Sequence, residues 1–202
     1  MSILTVPHSV TYGLDASIAR FPVAKYQRMI ETGILDKNDK VELLEGYVVM
    51  KMPRNPSHDS TIQRVQKRFY RLLPSGWDLR IQLAITLADS EPEPDFAIVQ
   101  GDETWYLNRH PGPGDIGLLA EVAETSLLRD TLDKSRIYAR AGIPFYWVIN
   151  LSKGVIEVYS EPSGPTPSPD YGSHVTISPP DVLTLSLGGM MLGPVAAAEL
   201  LP

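Results

Sequence analysis

Residues 133–151, DKSRIYARAGIPFYWVINL, predict a helix followed at once by a buried strand. On a helical wheel at about 100° per residue, Lys134 falls between Ile137 and Tyr138, at the centre of the apolar stripe. Gly142, with a proline two residues later, is a stop signal for the helix. An ammonium group that faces a core is destabilising unless carboxylates or a ligand meet it. Lys134 therefore requires acidic partners on neighbouring elements.

Two predicted strands upstream each carry a candidate acidic partner. PDFAIV (94–99) has Asp95 at its start, and DIGLLAEV (115–122) has Glu121 near its end. The second strand is apolar on both faces, which is typical of a central position in a sheet. If the two strands pair antiparallel, the start of one faces the end of the other, and the two acids lie together. An aspartate, a glutamate and a lysine that converge in an α/β core indicate a metal-dependent phosphodiesterase site.

The overall composition narrows the class of protein. A chain of 202 residues with 43% hydrophobic residues can bury a core and is most simply one domain with extensions. It has no cysteine, so it can form neither disulfides nor thiolate metal sites. No secretion signal and no run of about 20 apolar residues is present, and we expect a cytoplasmic protein without membrane contact. A net charge of −6 excludes a broadly basic surface but permits a local one.

Further helical and strand patterns complete an α/β domain. The predicted elements are a helix over 21–35, a hairpin within 41–52, a helix over 58–73, an alternating strand over 79–88, a hairpin of 145–151 with 155–160, an exposed proline-rich loop over 162–173, and weaker strands near 174–177 and 182–187. The expected division is an N-terminal helical extension (1–40), a core (41–160), and a proline-rich loop with a C-terminal tail that packs on the core (161–202). We expect a mixed, mainly antiparallel central sheet flanked by helices.

The strings PEPDFAIV, AEV and DKSRIYARAGIPFYWVINL, together with ELLEG (42–46) and His58, resemble one known family. This is the Uma family of "putative restriction endonucleases", a branch of the PD-(D/E)XK nuclease superfamily. The resemblance extends from about Glu42 to Tyr159, which is most of the chain. It implies a restriction-endonuclease-like core and hydrolysis of DNA phosphodiester bonds as the activity.

The resemblance also implies a role for each acid and for the lysine. Asp95 would be the metal-binding aspartate, Glu121 the second acid, and Glu42 an auxiliary acid of the same site. The plain motif has a lysine two residues after the glutamate, where this chain has Ala123. Lys134 would therefore supply the ammonium group from the following helix.

The chemistry of such a site requires a hard cation. Mg²⁺, with Mn²⁺ as a substitute, prefers carboxylate and carbonyl oxygens and retains several waters. Asp95, Glu121 and the backbone carbonyl of Val122 would be a sufficient set of protein ligands. Lys134 would then orient the attacking water or bind the phosphate. Glu42 or His58 could assist a second metal or the leaving group.

A candidate DNA-binding surface lies on the predicted helix 58–73. Its solvent side carries the densest group of cations in the chain, Arg64, Lys67, Arg68 and Arg71. The same residues also fit a helix face that only contacts solvent. Because cutting both strands of a duplex suits two sites related by a two-fold axis, we expect a homodimer.

The sequence also permits other interpretations of the same residues. The chain could be a catalytically inactive nuclease fold that binds nucleic acid or a protein partner. Glu121 and Lys134 could form a purely structural ion pair in an unrelated α/β core. His58 could be an ordinary histidine at a helix start. An open cleft that is lined by Asp95, Glu121 and Lys134 would separate a functional site from a structural ion pair.

Overall fold

The computed structural model describes residues 18–202, which form four helices and ten strands. The helices are α1 (Val23–Glu31), α2 (Pro56–Phe69), α3 (Ser135–Ala141), which continues directly from a π-helical turn (Arg129–Lys134), and α4 (Ala197–Leu200). The strands are β1 (Val41–Leu44), β2 (Tyr47–Met50), β3 (Trp77–Ile81), β4 (Phe96–Gln100), β5 (Ile116–Ala123), β6 (Phe145–Asn150), β7 (Val155–Pro162), β8 (Tyr171–Ile177), β9 (Val182–Leu187) and β10 (Met190–Ala196). Two short 3₁₀ turns, Glu103–Tyr106 and Pro113–Asp115, lie between β4 and β5.

A six-stranded sheet lies at the centre, with the strands in the order β3, β4, β5, β6, β7, β8. The pair β5 and β6 is parallel, and the other four neighbouring pairs are antiparallel. The parallel pair requires a crossover connection, which the π-helical turn and α3 provide. The strand pairs β1–β2 and β9–β10 form two separate hairpins. The prediction of a mixed, mainly antiparallel sheet flanked by helices is confirmed.

Both faces of the sheet are covered, and each carries its own hydrophobic core. On one face α2, α4 and the β9–β10 hairpin enclose Phe69 and Trp147, whose ring centroids lie 6.1 Å apart. On the other face α3 and the β1–β2 hairpin pack over Tyr138 and Tyr146, with centroids 5.0 Å apart. Side chains of β5 alternate between the two cores. This alternation explains why its sequence is apolar on both faces.

An ion-pair network fastens the β1–β2 hairpin to α3. Glu45, in the hairpin turn, accepts two hydrogen bonds of 2.6 Å from Arg136 and one of 2.9 Å from Arg140. Arg140 also donates to Asp89 over 2.7 Å. At about 100° per residue, both arginines lie on the side of the helix opposite to Lys134. The network therefore fixes the hairpin that carries Glu42 in position beside α3.

The predicted strand over 79–88 is wrong beyond Ile81. The chain leaves the sheet at Gln82, whose φ of +53° interrupts extended backbone. Leu79 packs in the core against α2, whereas Ile85 and Leu87 cross to the core against α3. Leu79, Ile85 and Leu87 of the alternating pattern are therefore buried, but they belong to two different cores.

Three predicted element bounds also change. The helix predicted over 58–73 begins two residues earlier, because the Asn55 side chain caps it by accepting from the His58 N–H over 3.0 Å. It ends at Phe69. The helix predicted over 21–35 is limited to α1. The predicted exposed loop over 162–173 is wrong at its end, since Tyr171 begins β8 and is buried beside Tyr146.

Residues beyond position 160, in the expected C-terminal part, extend the central sheet and cover one of its faces. Strand β7 continues past residue 160, and β8 adds an edge strand to the central sheet. Hairpin β9–β10 and α4 cover α2. Residues 1–17 of the expected N-terminal extension lie outside the described part of the chain. Among the helices of residues 18–202, none combines the length and apolar character needed to span a bilayer.

Substitution Glu45→Gln tests the network between the hairpin and α3. The Arg136 hydrogen bond holds the pKa of Glu45 below its usual value. Loss of this charge should lower the free energy of unfolding by about 1–2 kcal/mol at neutral pH. A depressed pKa stabilises the fold above the unfolded pKa, and this contribution disappears as the pH falls through the folded pKa. The difference from the parent should therefore shrink in acid.

Urea unfolding at several pH values measures this difference. The matched control is Glu31→Gln, a neutralised glutamate that is exposed on α1. A stability loss equal to that of the control, or one that persists unchanged into acid, would rule out the proposed contribution of Glu45.

Candidate active site

An open cleft of about 540 Å³ lies between the β1–β2 hairpin, the start of α2 and the segment 124–134. Asp95, which directly precedes β4, and the end of β5 form the floor of this cleft. Five residues predicted from the sequence as catalytic line this cleft: Glu42, His58, Asp95, Glu121 and Lys134. The three that were expected to distinguish a functional site from a structural ion pair thus border one open space.

Strand pairing places Asp95 beside the end of β5. The register pairs Phe96 with Ala120, so the residue before β4 lies next to the residues that follow Ala120. The Val122 N–H donates to Asp95 over 2.8 Å. Gln82 donates to the other carboxylate oxygen over 3.1 Å. The antiparallel arrangement expected for the two acidic strands is thus present.

His58 reaches the same carboxylate from the start of α2. Its Nε2 lies 3.0 Å from Asp95, and both side chains are buried. Burial lowers the pKa of His58, but the adjacent carboxylate outweighs this effect and raises it. Burial similarly favours the neutral form of Asp95, but bonds from His58, Val122 and Gln82 lower its pKa. Asp95 is therefore held as an oriented, ionised carboxylate.

Lys134 lies in the floor of the cleft, with only 5% of its surface exposed. Its Nζ is 2.8 Å from Glu121 and 3.5 Å from Glu42. Burial alone lowers the pKa of Lys134, but the charges of Glu121, Glu42 and Asp130 raise it above its usual value. The side chain therefore remains a charged ammonium group, as the sequence argument requires.

Asp130 and Tyr138 also belong to this cluster, although neither was predicted from the sequence. Asp130 is 2% exposed and accepts from the Ser126 hydroxyl over 2.5 Å. Tyr138 donates to Glu121 over 3.2 Å. Asp130 precedes Lys134 by four residues, which places both on one side of a helix. That spacing was a usable signal, but the predicted helix began only at residue 133.

The cluster contains more carboxyl groups than basic groups. Burial raises the pKa of Glu121 well above its usual value, and Asp130, Asp95 and Glu42 add to this effect, whereas Lys134 opposes it. Lys134 and His58 face four carboxyl groups, so without a further cation burial favours the protonated forms of Glu121 and Asp130. A cation bound beside Glu121 would favour its ionised form.

The oxygen atoms of the cleft fit a hard divalent cation. Asp95 and Glu121 supply carboxylates, and Val122 lines the same space. Both backbone groups of a strand residue point to the same neighbouring strand. Because the Val122 N–H meets Asp95, its carbonyl is directed to the same edge. Among residues 18–202, no three acidic or histidine side chains converge to hold an ion by themselves. The donor set thus suits Mg²⁺ or Mn²⁺ with retained waters.

The predicted DNA-binding residues of α2 lie away from the cleft. Arg68 forms an ion pair with Glu199 and donates to the Pro194 carbonyl over 3.0 Å, so it is attached to the C-terminal segment. Arg71 lies beyond the end of α2. Arg64 and Lys67 are exposed on the helix but do not line the cleft. The expectation that all four share the solvent side of one helix is wrong for Arg68 and Arg71.

The sheet topology and the acidic cleft define a nuclease-like fold of the restriction-endonuclease type. The chain belongs to the Uma2 family, "Putative restriction endonuclease", whose model matches residues 23–191. It is similar to the crystal structure of a "putative nuclease belonging to DUF820" from Anabaena variabilis ATCC 29413, with a TM-score of 0.63. The two chains are 12% identical over 89% of this chain and 97% of that one, which shows a common fold. Comparison with curated proteins found no significant match.

Addition of Mg²⁺ or Mn²⁺ should raise the melting temperature, because a cation offsets the repulsion among the carboxylates. A dissociation constant of about 1 mM with about 10 mM metal would add about 1.4 kcal/mol. That corresponds to an increase of about 3–6 °C for a chain of this size. Asp95→Asn should abolish the increase, and Glu103→Gln, an exposed control, should retain it.

Differential scanning calorimetry with and without metal measures this increase. Titration calorimetry provides an independent measure of binding. An unchanged melting temperature together with no heat of binding for either ion would contradict the metal site.

Proposed function

We propose that the protein is a divalent-metal-dependent endonuclease that hydrolyses phosphodiester bonds in DNA. One observation carries the proposal: a buried, charged Lys134 and the carboxylates of Glu121 and Asp95 all border the same open cleft. Membership of the Uma2 family supports the nuclease class. An ion pair with a purely structural role would have no reason to lie at the floor of a cleft.

Asp95, Glu121 and the Val122 carbonyl are the proposed ligands of Mg²⁺, with Mn²⁺ as a substitute. When bound, such an ion lowers the pKa of a water and offsets the charge that develops on the phosphate. The three donors on Asp95 keep its carboxylate ionised and oriented toward the end of β5. His58 is therefore a positioning residue, because it acts through Asp95.

Lys134 is the proposed catalytic residue that meets the substrate. Its ammonium group donates hydrogen bonds and carries no lone pair, so it orients the attacking water or binds a phosphate oxygen. Glu42 and Glu121 hold it in position over 3.5 and 2.8 Å. Asp130 adds negative charge that keeps Lys134 protonated.

We propose a homodimer for the cleavage of both strands of a duplex.

A second candidate function is a nuclease fold that binds nucleic acid without cleaving it. The observation that favours it is the set of bonds on Asp95, whose two oxygens both accept from protein donors. A carboxylate that is satisfied in this way has less capacity for a metal. The opposing observation is the group of buried acids around Lys134, where burial raises the pKa of Glu121 and Asp130, a destabilising arrangement that a non-catalytic fold has no need to maintain.

A cleavage assay separates the two functions. Plasmid, linear duplex, single-stranded DNA and RNA are incubated with Mg²⁺ or Mn²⁺. We expect cleavage of DNA that requires metal and that falls at least about 100-fold in Asp95→Asn and in Lys134→Met. Lys134→Met should retain the metal-induced rise in melting temperature, because an ammonium group is not a ligand. Glu103→Gln should cleave as the parent does.

Two results would contradict the proposed activity. One is equal cleavage by the parent and Asp95→Asn, which would assign the activity to a contaminant or to another site. The other is binding of nucleic acid without cleavage under any of these conditions, which would support the binding function.

A further inference from the structure

We infer that four basic residues at the opening of the cleft, Lys37, Lys40, Arg54 and Arg129, bind the phosphodiester backbone of the nucleic acid beside the reacting phosphate. We call these residues the mouth cations. The inference rests on the proposed function, because it assigns the substrate contacts of the same cleft. It replaces the basic side of α2 as the expected binding surface.

The mouth cations come from three separate segments of the chain. Lys37 and Lys40 lie in the turn between α1 and β1, and Arg54 lies in the loop between β2 and α2. Arg129 is the first residue of the π-helical turn, and it donates to the Met50 carbonyl over 2.8 Å. All four line the cleft. The fold thus collects cations that are distant in sequence around one opening.

The charges of the mouth cations are not offset by acids. Within residues 18–202, Lys37 and Lys40 take part in no ion pair, and both are exposed. Arg54 donates to the neutral amide of Gln82, and Arg129 to a backbone carbonyl. The other two basic residues of the cleft differ, because Lys51 pairs with Glu93 and Lys134 with Glu121.

Acids lie in the interior of the cleft and cations lie at its opening. This arrangement favours binding of a polyanion that also contacts a metal. Among the described residues, six basic and six acidic side chains line the cleft, so its formal charge is zero while the whole chain carries −6. The acids Glu42, Glu121 and Asp130 are buried in the interior, and the mouth cations lie outside them. A bound divalent cation would make the cleft positive. Backbone phosphates on either side of the scissile bond would then meet cations.

The basic side of α2 lacks these properties. Arg68 is neutralised by Glu199, and Arg64 and Lys67 lie outside the cleft. A backbone that reaches Asp95 and Lys134 enters the space that the mouth cations line, whereas Arg64 and Lys67 do not line it. Substitutions that remove the same amount of charge from the two surfaces should therefore have different effects on the binding of nucleic acid.

The test compares Lys37→Gln/Lys40→Gln with Arg64→Gln/Lys67→Gln. Each pair removes two exposed positive charges, so the second is a matched control for net charge. Binding of fluorescently labelled duplex DNA, single-stranded DNA and RNA is measured by anisotropy without divalent metal, between about 50 and 200 mM salt. Arg54→Gln serves as a third variant from a separate segment. Melting temperatures confirm that each variant is folded.

We expect the Lys37/Lys40 pair to lose about tenfold in affinity at low salt. The slope of log affinity against log salt should flatten by about 1.8 for duplex DNA or about 1.4 for a single strand. Arg54→Gln should show about half of that change in slope, and the α2 pair should bind as the parent does. The nucleic acid that the parent binds most tightly at a given salt concentration identifies the preferred form of the backbone.

Three results would overturn the inference. They are equal losses in the two pairs, a loss confined to the α2 pair, and no salt-dependent binding by the parent. Failure of the proposed nuclease function is distinguishable from these. If the parent binds through the mouth cations but cleaves nothing, the inference holds and the nuclease proposal fails. If the parent cleaves DNA and the Lys37/Lys40 pair cleaves with an unchanged KM, the nuclease proposal holds and the inference about the mouth cations fails.

Discussion

The ion pair between Lys134 and Glu121, which Glu42 completes, is the interaction on which the site depends. A buried charge without a partner destabilises a fold by roughly 3–5 kcal/mol, so each member requires the other two. Because Glu42 lies on β1, Glu121 on β5 and Lys134 at the junction of the π-helical turn with α3, the cluster joins three elements that are distant in sequence. The Glu45 network holds the same hairpin from its other end. The geometry of the cleft follows from these two sets of charges.

Opposite effects of environment on neighbouring acids give the cleft its chemical character. Asp95 receives three hydrogen bonds, which lower its pKa, whereas burial and adjacent carboxylates raise the pKa of Glu121. One acid is thus prepared as an anion, and the other is poorly stabilised as an anion until a further cation arrives. The mouth cations lie outside this acidic interior. The arrangement suits a substrate that is anionic along its length and reacts at one point beside a metal.

Local patterns in the sequence were sufficient where one element or one strand pair determined the outcome. The apolar stripe of the helix located Lys134, and antiparallel pairing placed Asp95 beside Glu121. Contacts between distant segments could not be predicted in this way. The break at Gln82 depends on a positive φ, and the π-helical turn that carries Asp130 lies upstream of the predicted helix. The neutralisation of Arg68 by Glu199 also required the folded chain. The sequence predicts a binding surface on α2, where cations are dense along the chain, and the fold gathers a second group of cations around the cleft.

We propose that the buried ion cluster and Asp95 together form one metal-binding hydrolytic site. Anomalous scattering from crystals that contain Mn²⁺ tests this claim most directly, because it locates the ion without reference to activity. We expect one strong peak in the cleft, within coordination distance of about 2.0–2.3 Å of the Asp95 and Glu121 carboxylates and the Val122 carbonyl. A cleft without a peak at saturating Mn²⁺, or a peak elsewhere while Asp95 keeps its bonds to His58 and Gln82, would contradict it.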